Sequence, residues 1–136
     1  MLREEGQFSA RFEHIEAICD LVERAAVDAG LDDHAQYASQ LAVGEACENI
    51  ICHGYKEIKD GKIYVKVQAS PGELTIELED NAPPFDPSKK VVNHCCVEDL
   101  EGGLGLPILH KVMDEIEYSR HGDSNRLILR KYGSSG

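Results

Sequence analysis

Lys62-Ile-Tyr-Val-Lys-Val-Gln-Ala-Ser-Pro-Gly-Glu-Leu-Thr-Ile-Glu-Leu-Glu-Asp80 alternates apolar and polar residues on either side of one Pro-Gly step. Successive side chains of a strand point to opposite faces. Ile63, Val65, Val67 and Ala69 therefore share one face, with Lys62, Tyr64, Lys66 and Gln68 on the other. Leu74, Ile76 and Leu78 alternate in the same way against Glu73, Thr75, Glu77 and Glu79. Ser70-Pro-Gly72 supplies the turn, so the stretch predicts a half-buried β-hairpin whose apolar face needs cover.

The flanking segments supply that cover. Phe12, Ile15, Ile18/Cys19, Val22 and Ala25/Ala26 recur at three- and four-residue steps until Gly30, which predicts an amphipathic helix over about 12–29. Asp32 and Asp33 offer an N-cap for a second helix reaching about Tyr55, near the Gly54 breaker. An edge strand fits the few residues before the first helix. Residues 81–101 are irregular and contain Pro83, Pro84 and Pro87, as expected of a lid or binding loop. A third helix is expected over about 105–114, and Tyr118 with Leu127/Leu129 flanks the turn residues Gly122-Asp-Ser-Asn125 as a closing hairpin. Helices, hairpin, helix, hairpin is the order of an α+β fold, with helices layered on a mainly antiparallel sheet. A single domain over 1–132 and a tail over 133–136 are expected.

Composition bounds the function. The chain has 136 residues, 42% of them hydrophobic, enough for one ordinary core. Fourteen Lys and Arg against 25 Asp and Glu leave a formal charge of −11. That balance argues against nucleic acid or an anionic membrane as the main partner, although backbone amides can still hold phosphates. The start lacks the apolar run of a signal peptide and no stretch approaches the ~20 apolar residues of a membrane span, so a cytoplasmic protein is expected. Five cysteines without Cys-x-x-Cys spacing predict reduced thiols and no zinc knuckle. The adjacent pair in His94-Cys95-Cys96 is awkward for one tetrahedral ion.

Three features carry chemistry. On the second helix, Glu45 and Asn49 lie one turn apart on the stripe of Ala38, Leu41, Ala42 and Cys52, where an unpaired carboxylate is costly. Either Glu45 is paired with a Lys, His or backbone amide, or the face floors a site with Glu45 as base and the Asn49 amide oxygen as a hard ligand for Mg²⁺. Asp80 continues the inward phase of Leu74, Ile76 and Leu78. It either caps the turn that follows or accepts a hydrogen bond from an exocyclic amino group. Glu101-Gly-Gly-Leu-Gly-Leu-Pro107 opens a helix, an entrance where amides and the helix dipole attract an anion. Its spacing is neither Walker A nor the dinucleotide fingerprint.

Leu41-Ala-Val-Gly-Glu-Ala-Cys-Glu-Asn-Ile-Ile-Cys-His-Gly-Tyr55, Asp80-Asn-Ala-Pro-Pro-Phe-Asp-Pro87 and Gly102-Gly-Leu-Gly-Leu-Pro-Ile-Leu-His-Lys-Val-Met-Asp114 resemble the boxes of the GHKL ATPase superfamily. More narrowly they are similar to the bacterial anti-sigma-factor serine-protein kinases, over about residues 8–132. The resemblance implies a Bergerat-type two-layer sandwich, with helices on one face of a mainly antiparallel mixed sheet. It implies Mg-ATP as cofactor, Glu45 as general base and Asn49 as the Mg²⁺ ligand. Asp80 matches the adenine-reading carboxylate. His53, Ala82, Phe85, Gly102, Gly103, Leu104, Gly105 and Leu106 join Asn49 and Asp80 as nucleotide-binding positions, and 88–101 match the lid. Ala82 stands where the wider superfamily usually has glycine, and the lid carries Lys89, Lys90 and His94-Cys95-Cys96 but no arginine.

The implied function is a serine/threonine kinase acting on a small anti-sigma-factor antagonist, with a sigma factor as second partner and a homodimer left open. A module that sequesters a regulator without turnover is the alternative. The ATP domain of a two-component histidine kinase fits less well, because no phosphoacceptor hairpin accompanies it.

Overall fold

A computed structural model of the protein describes residues 2–55, 60–83, 109 and 111–133. Among the described residues five strands form one sheet: β1 (Leu2–Ser9), β2 (Lys62–Ser70), β3 (Glu73–Asp80), β4 (Glu115–His121) and β5 (Ser124–Tyr132). Their spatial order is β1-β2-β3-β5-β4. All four pairings are antiparallel, so among the described residues the sheet is not mixed as the resemblance implied. Hairpins join β2 to β3 and β4 to β5, whereas β3 and β4 both run antiparallel to the β5 strand between them and are therefore parallel to each other, so the chain from β3 to β4 is a crossover connection.

The predicted hairpin forms with the expected register, Val65 opposite Leu78 and Val67 opposite Ile76. Its inward residues are buried together with Leu127 and Leu129. Helices α1 (Ile15–Asp28) and α2 (Asp33–Asn49) join them in one core. Ile18, Leu21, Val22, Ala25 and Ala26 are the buried stripe of α1, preceded by a 3₁₀ turn at Phe12–His14. The Asp32 carboxylate caps α2 by accepting from the Ala35 amide at 2.8 Å. Small residues dominate the buried positions of α2 (Ala35, Ala38, Ser39, Ala42, Ala46), which lets its backbone approach closely.

The second helix ends at Gly54, as its sequence leads one to expect, but its last turn changes type. The second helix continues past Asn49 as a wide π-helical turn, Ile50–Gly54, closed by the Tyr55 amide donating to the Ile50 carbonyl at 2.8 Å. Of the third helix, 109 and 111–112 are described as helical, and the chain leaves it at Met113. There the Asp114 amide donates to the Arg130 carbonyl and the Asp114 carboxylate accepts from the Tyr132 amide.

The outer sheet face is a lattice of charge. Arg126 pairs with Glu77 at 3.3 Å and Glu79 at 3.6 Å. Arg130 pairs with Glu115 and Glu117. No described helix is long and apolar enough to cross a membrane.

Candidate functional site

The site begins where β3 ends. Asp80 follows the buried row Leu74, Ile76 and Leu78 and is itself 5% exposed, opposite Ile63 on β2 and Asn125 on β5. Its Oδ1 accepts from the Ala82 amide at 2.9 Å and from Asn125 Nδ2 at 2.8 Å. The first bond closes an Asx-type turn that aims the chain away from the sheet. Burial pushes the Asp80 carboxyl above its ordinary range, opposed by the Asn125 and Ala82 donors and the nearby Arg120 guanidinium, while Glu79 adds to the rise. A buried carboxylate with ready donors on one oxygen is an acceptor held in place.

Tyr55 fixes the same corner from the helix side. Its hydroxyl donates to the Lys62 carbonyl at 2.6 Å and accepts from the Asn81 amide at 2.8 Å. Its ring lies so close over Gly61 that a Cβ there would sit 2.6 Å from ring carbons. Burial, ahead of every other influence, raises its phenol above the usual range.

Helix α2 delivers the remaining residues. Glu45 and Asn49 are half-buried one turn apart, and His53 is half-buried in the π-helical turn beyond them. Asn49 Nδ2 is buried without a hydrogen-bond partner. The turn then carries Gly54 against the start of the loop: a Cβ built there would lie 3.1 Å from the Ala82 Cβ. Helix end and strand end therefore meet through Gly54 and Ala82. The same contact accounts for Ala82, which the superfamily pattern expects as glycine: its buried methyl fills the space that residue 54, lacking a side chain, leaves. Phe85 and residues 102–106 lie outside the described residues.

Sequence reasoning missed Asn125. The turn-type run Gly122-Asp-Ser-Asn125 places it in the turn, but the turn is only Gly122-Asp123, and Asn125 already pairs in β5. Counting back by two from Leu129 and Leu127 puts Asn125 on the buried face. Tyr118 and Arg120 of β4 were also missed; both hydrogen-bond to it. The cysteines need a correction as well. Cys19 and Cys47 are free as expected, but Cys52 is disulfide-bonded. Spacing along the chain reports only local pairs, whereas a disulfide follows proximity in the fold. Cys95 and Cys96 lie outside the described residues.

As for metal, no group of three or more His, Cys, Asp or Glu residues that could hold an ion occurs among the described residues. The donors that α2 offers are oxygens, the Glu45 carboxylate and the Asn49 amide. Oxygen donors suit a hard cation that takes its other ligands from phosphates and water.

The comparisons agree with this geometry. A family model described as "Histidine kinase-like ATPase domain" matches residues 8–131. Among curated proteins, the serine-protein kinase RsbW of Bacillus subtilis (strain 168) is 32% identical over 89 residues, covering 60% of this chain and 56% of that protein. An anti-sigma F factor of Clostridium botulinum (strain Eklund 17B / Type B) is 37% identical over 78 residues, covering 55% of this chain and 54% of that one. The matched stretch thus spans little more than half of these relatives. Among solved structures, the RsbU and RsbW domains of Rv1364c from Mycobacterium tuberculosis align with a TM-score of 0.68 at 16% identity, over 97% of this chain and 32% of that one. That likeness speaks for the fold. On a match running over nearly its whole length, the chain belongs to the histidine kinase-like ATPase domain family.

Proposed function

We propose that the protein is a Mg-ATP-dependent serine/threonine kinase whose substrate is a small anti-sigma-factor antagonist and whose second partner is a sigma factor. The observation that carries the reading is the corner just described. A buried acceptor, Asp80, stands at the strand end, and the helix bearing Glu45 and the unpaired Asn49 amide runs into that corner through Gly54. The names of the relatives, serine-protein kinase and anti-sigma factor, support the substrate class. A single domain over 1–132, with residues 133–136 as a tail, belongs to the same reading.

Each residue then has a task. Asp80 accepts from the exocyclic amino group of adenine, with Ala82 beside it and His53 on the helix side, and Phe85 is assigned to nucleotide binding in the same reading. Asn49 presents its amide oxygen to Mg²⁺, which when bound neutralises charge on the phosphates. Gly102, Gly103, Leu104, Gly105 and Leu106 are assigned to the phosphate chain, which backbone amides bind well. Glu45 accepts the proton of the substrate hydroxyl as it attacks the γ-phosphoryl. Positioning and charge neutralisation supply most of phosphoryl-transfer catalysis, and a placed base adds roughly 10²–10⁴-fold.

The test is transfer of label from γ-labelled Mg-ATP to a serine of the antagonist. Glu45→Gln should retain ATP binding and lose transfer by about 10²-fold or more. Unchanged transfer removes Glu45 as base, and a tight complex without any transfer by the unaltered protein favours sequestration instead.

A further inference from the structure

Asn125 is a buried polar side chain, 4% exposed, to which the mechanism above gives no task. Its amide is saturated. Nδ2 donates to Asp80 Oδ1 at 2.8 Å, the Ala82 carbonyl at 3.0 Å and the Pro83 carbonyl at 3.1 Å. Oδ1 accepts from the Tyr118 hydroxyl at 2.5 Å and from Arg120 Nη1 at 3.1 Å. Arg120 Nη1 also donates to the Ala82 carbonyl at 2.8 Å, and its Nε to the Gly122 carbonyl.

The orientation of this amide is determined by its neighbours. A guanidinium only donates, so the Asn125 oxygen must face Arg120 and its NH₂ must face the carboxylate and the two carbonyls. In consequence both hydrogen bonds that Asp80 accepts among the described residues fall on Oδ1. Among the described residues no donor engages Oδ2, which can therefore accept from a ligand. We infer that Asn125 is a specificity-determining positioning residue: it pins Oδ1 of Asp80 and the Ala82 and Pro83 carbonyls of the following loop, so that Oδ2 is offered only to a donor, as on a 6-amino purine. A 6-oxo purine would bring a carbonyl oxygen against that lone pair and leave buried polar groups unpaired, the situation that discriminates most strongly.

The inference rests on the nucleotide-binding reading, and the experiment separates the two. Titration calorimetry of the full chain with Mg-ATP and Mg-GTP is run from pH 5 to 8 on the unaltered protein, Asn125→Leu and Tyr118→Phe. Asp80 is faced by Asn125, the Ala82 amide and Arg120, all favouring its charge, and by Glu79 and Tyr55. Removing the Asn125 donor disfavours the charged carboxylate. Asn125→Leu should therefore cut the ATP-over-GTP preference by about tenfold or more and move the acid limb of ATP binding to higher pH. A residue that only packs would lower the melting temperature without moving either. Tyr118→Phe removes one of the two donors that hold the amide oxygen and leaves Arg120 and Asp80 in place, so it loosens the amide without turning it. It should reduce the preference in the same direction by a smaller factor, and it decides the matter if Asn125→Leu does not fold. Unchanged preference and pH profile in the folded variants, with ATP binding intact, overturn the inference alone. Failure of the unaltered protein to bind either nucleotide overturns the functional reading and this inference with it.

Discussion

Glu79 and Asp80 are consecutive residues of one strand, yet they inhabit different electrostatic worlds. Glu79 faces outward, shares Arg126 with Glu77, and keeps 30% of its side chain in water. Asp80 faces inward, is almost fully covered, and depends on Asn125 and the Ala82 amide to stay charged. Water screens the first set of charges, so their geometry contributes little. Around the second every partner counts, because a missing one leaves a buried polar group unpaired. On the outer face one lost partner matters little; in the inner corner it matters most.

Substitutions sharpen that contrast, largest effect first. Gly54→Ala drives a methyl to 3.1 Å from the Ala82 Cβ at the junction of helix and strand. Overpacking of this kind costs about 1–3 kcal/mol, to be read as a lower denaturation midpoint. Adding Ala82→Gly should recover most of the loss. Two losses that simply add would show that the contact is not what makes residue 54 a glycine.

Asp80→Asn is expected to act in the opposite direction on stability. Burial raises the Asp80 carboxyl above the ordinary value of 3.8, so the folded protein holds this proton more tightly than the unfolded chain does. The resulting penalty is absent below the ordinary value and fully present above the raised one, so Asp80 costs stability as pH rises through that window. The amide retains an oxygen for both donors. At pH 7 the variant should melt above the unaltered protein by a smaller margin than the Gly54 change, and the gap should close as pH falls below about 4. ATP binding should be lost at the same time, a trade of function for stability. A variant that melts lower at neutral pH contradicts this account of the corner.

Arg126→Ala tests the outer face. It removes ion pairs to Glu77 and Glu79 that are partly exposed on both sides, and should shift stability by less than about 1 kcal/mol, less still in high salt. A loss comparable to that of Gly54→Ala would erase the distinction between the two faces.

What could be read in the sequence follows from what is local. The hairpin, both helices and their caps announce themselves through periods of two and of three to four residues, and through Asp32 and Gly30. Asp80 was legible because it keeps the phase of Leu74, Ile76 and Leu78. Asn125 was not, because turn-type residues run on from Gly122 and hid a strand that begins at Ser124. The π-helical turn after Asn49, the fit of Gly54 to Ala82 across 28 positions and the disulfide at Cys52 are properties of the folded chain. No local pattern encodes them. Strand order is similar: the order of elements points to a mainly antiparallel sheet, but not to β5 lying between β3 and β4.

The central claim is that the corner at Asp80 binds a purine nucleotide carrying an amino group at position 6. Calorimetric titration of the unaltered chain with Mg-ATP and Mg-GTP side by side tests it most directly. The account expects saturable one-site binding of Mg-ATP and at least tenfold weaker binding of Mg-GTP; equal affinity for the two, or no heat with either, would contradict it.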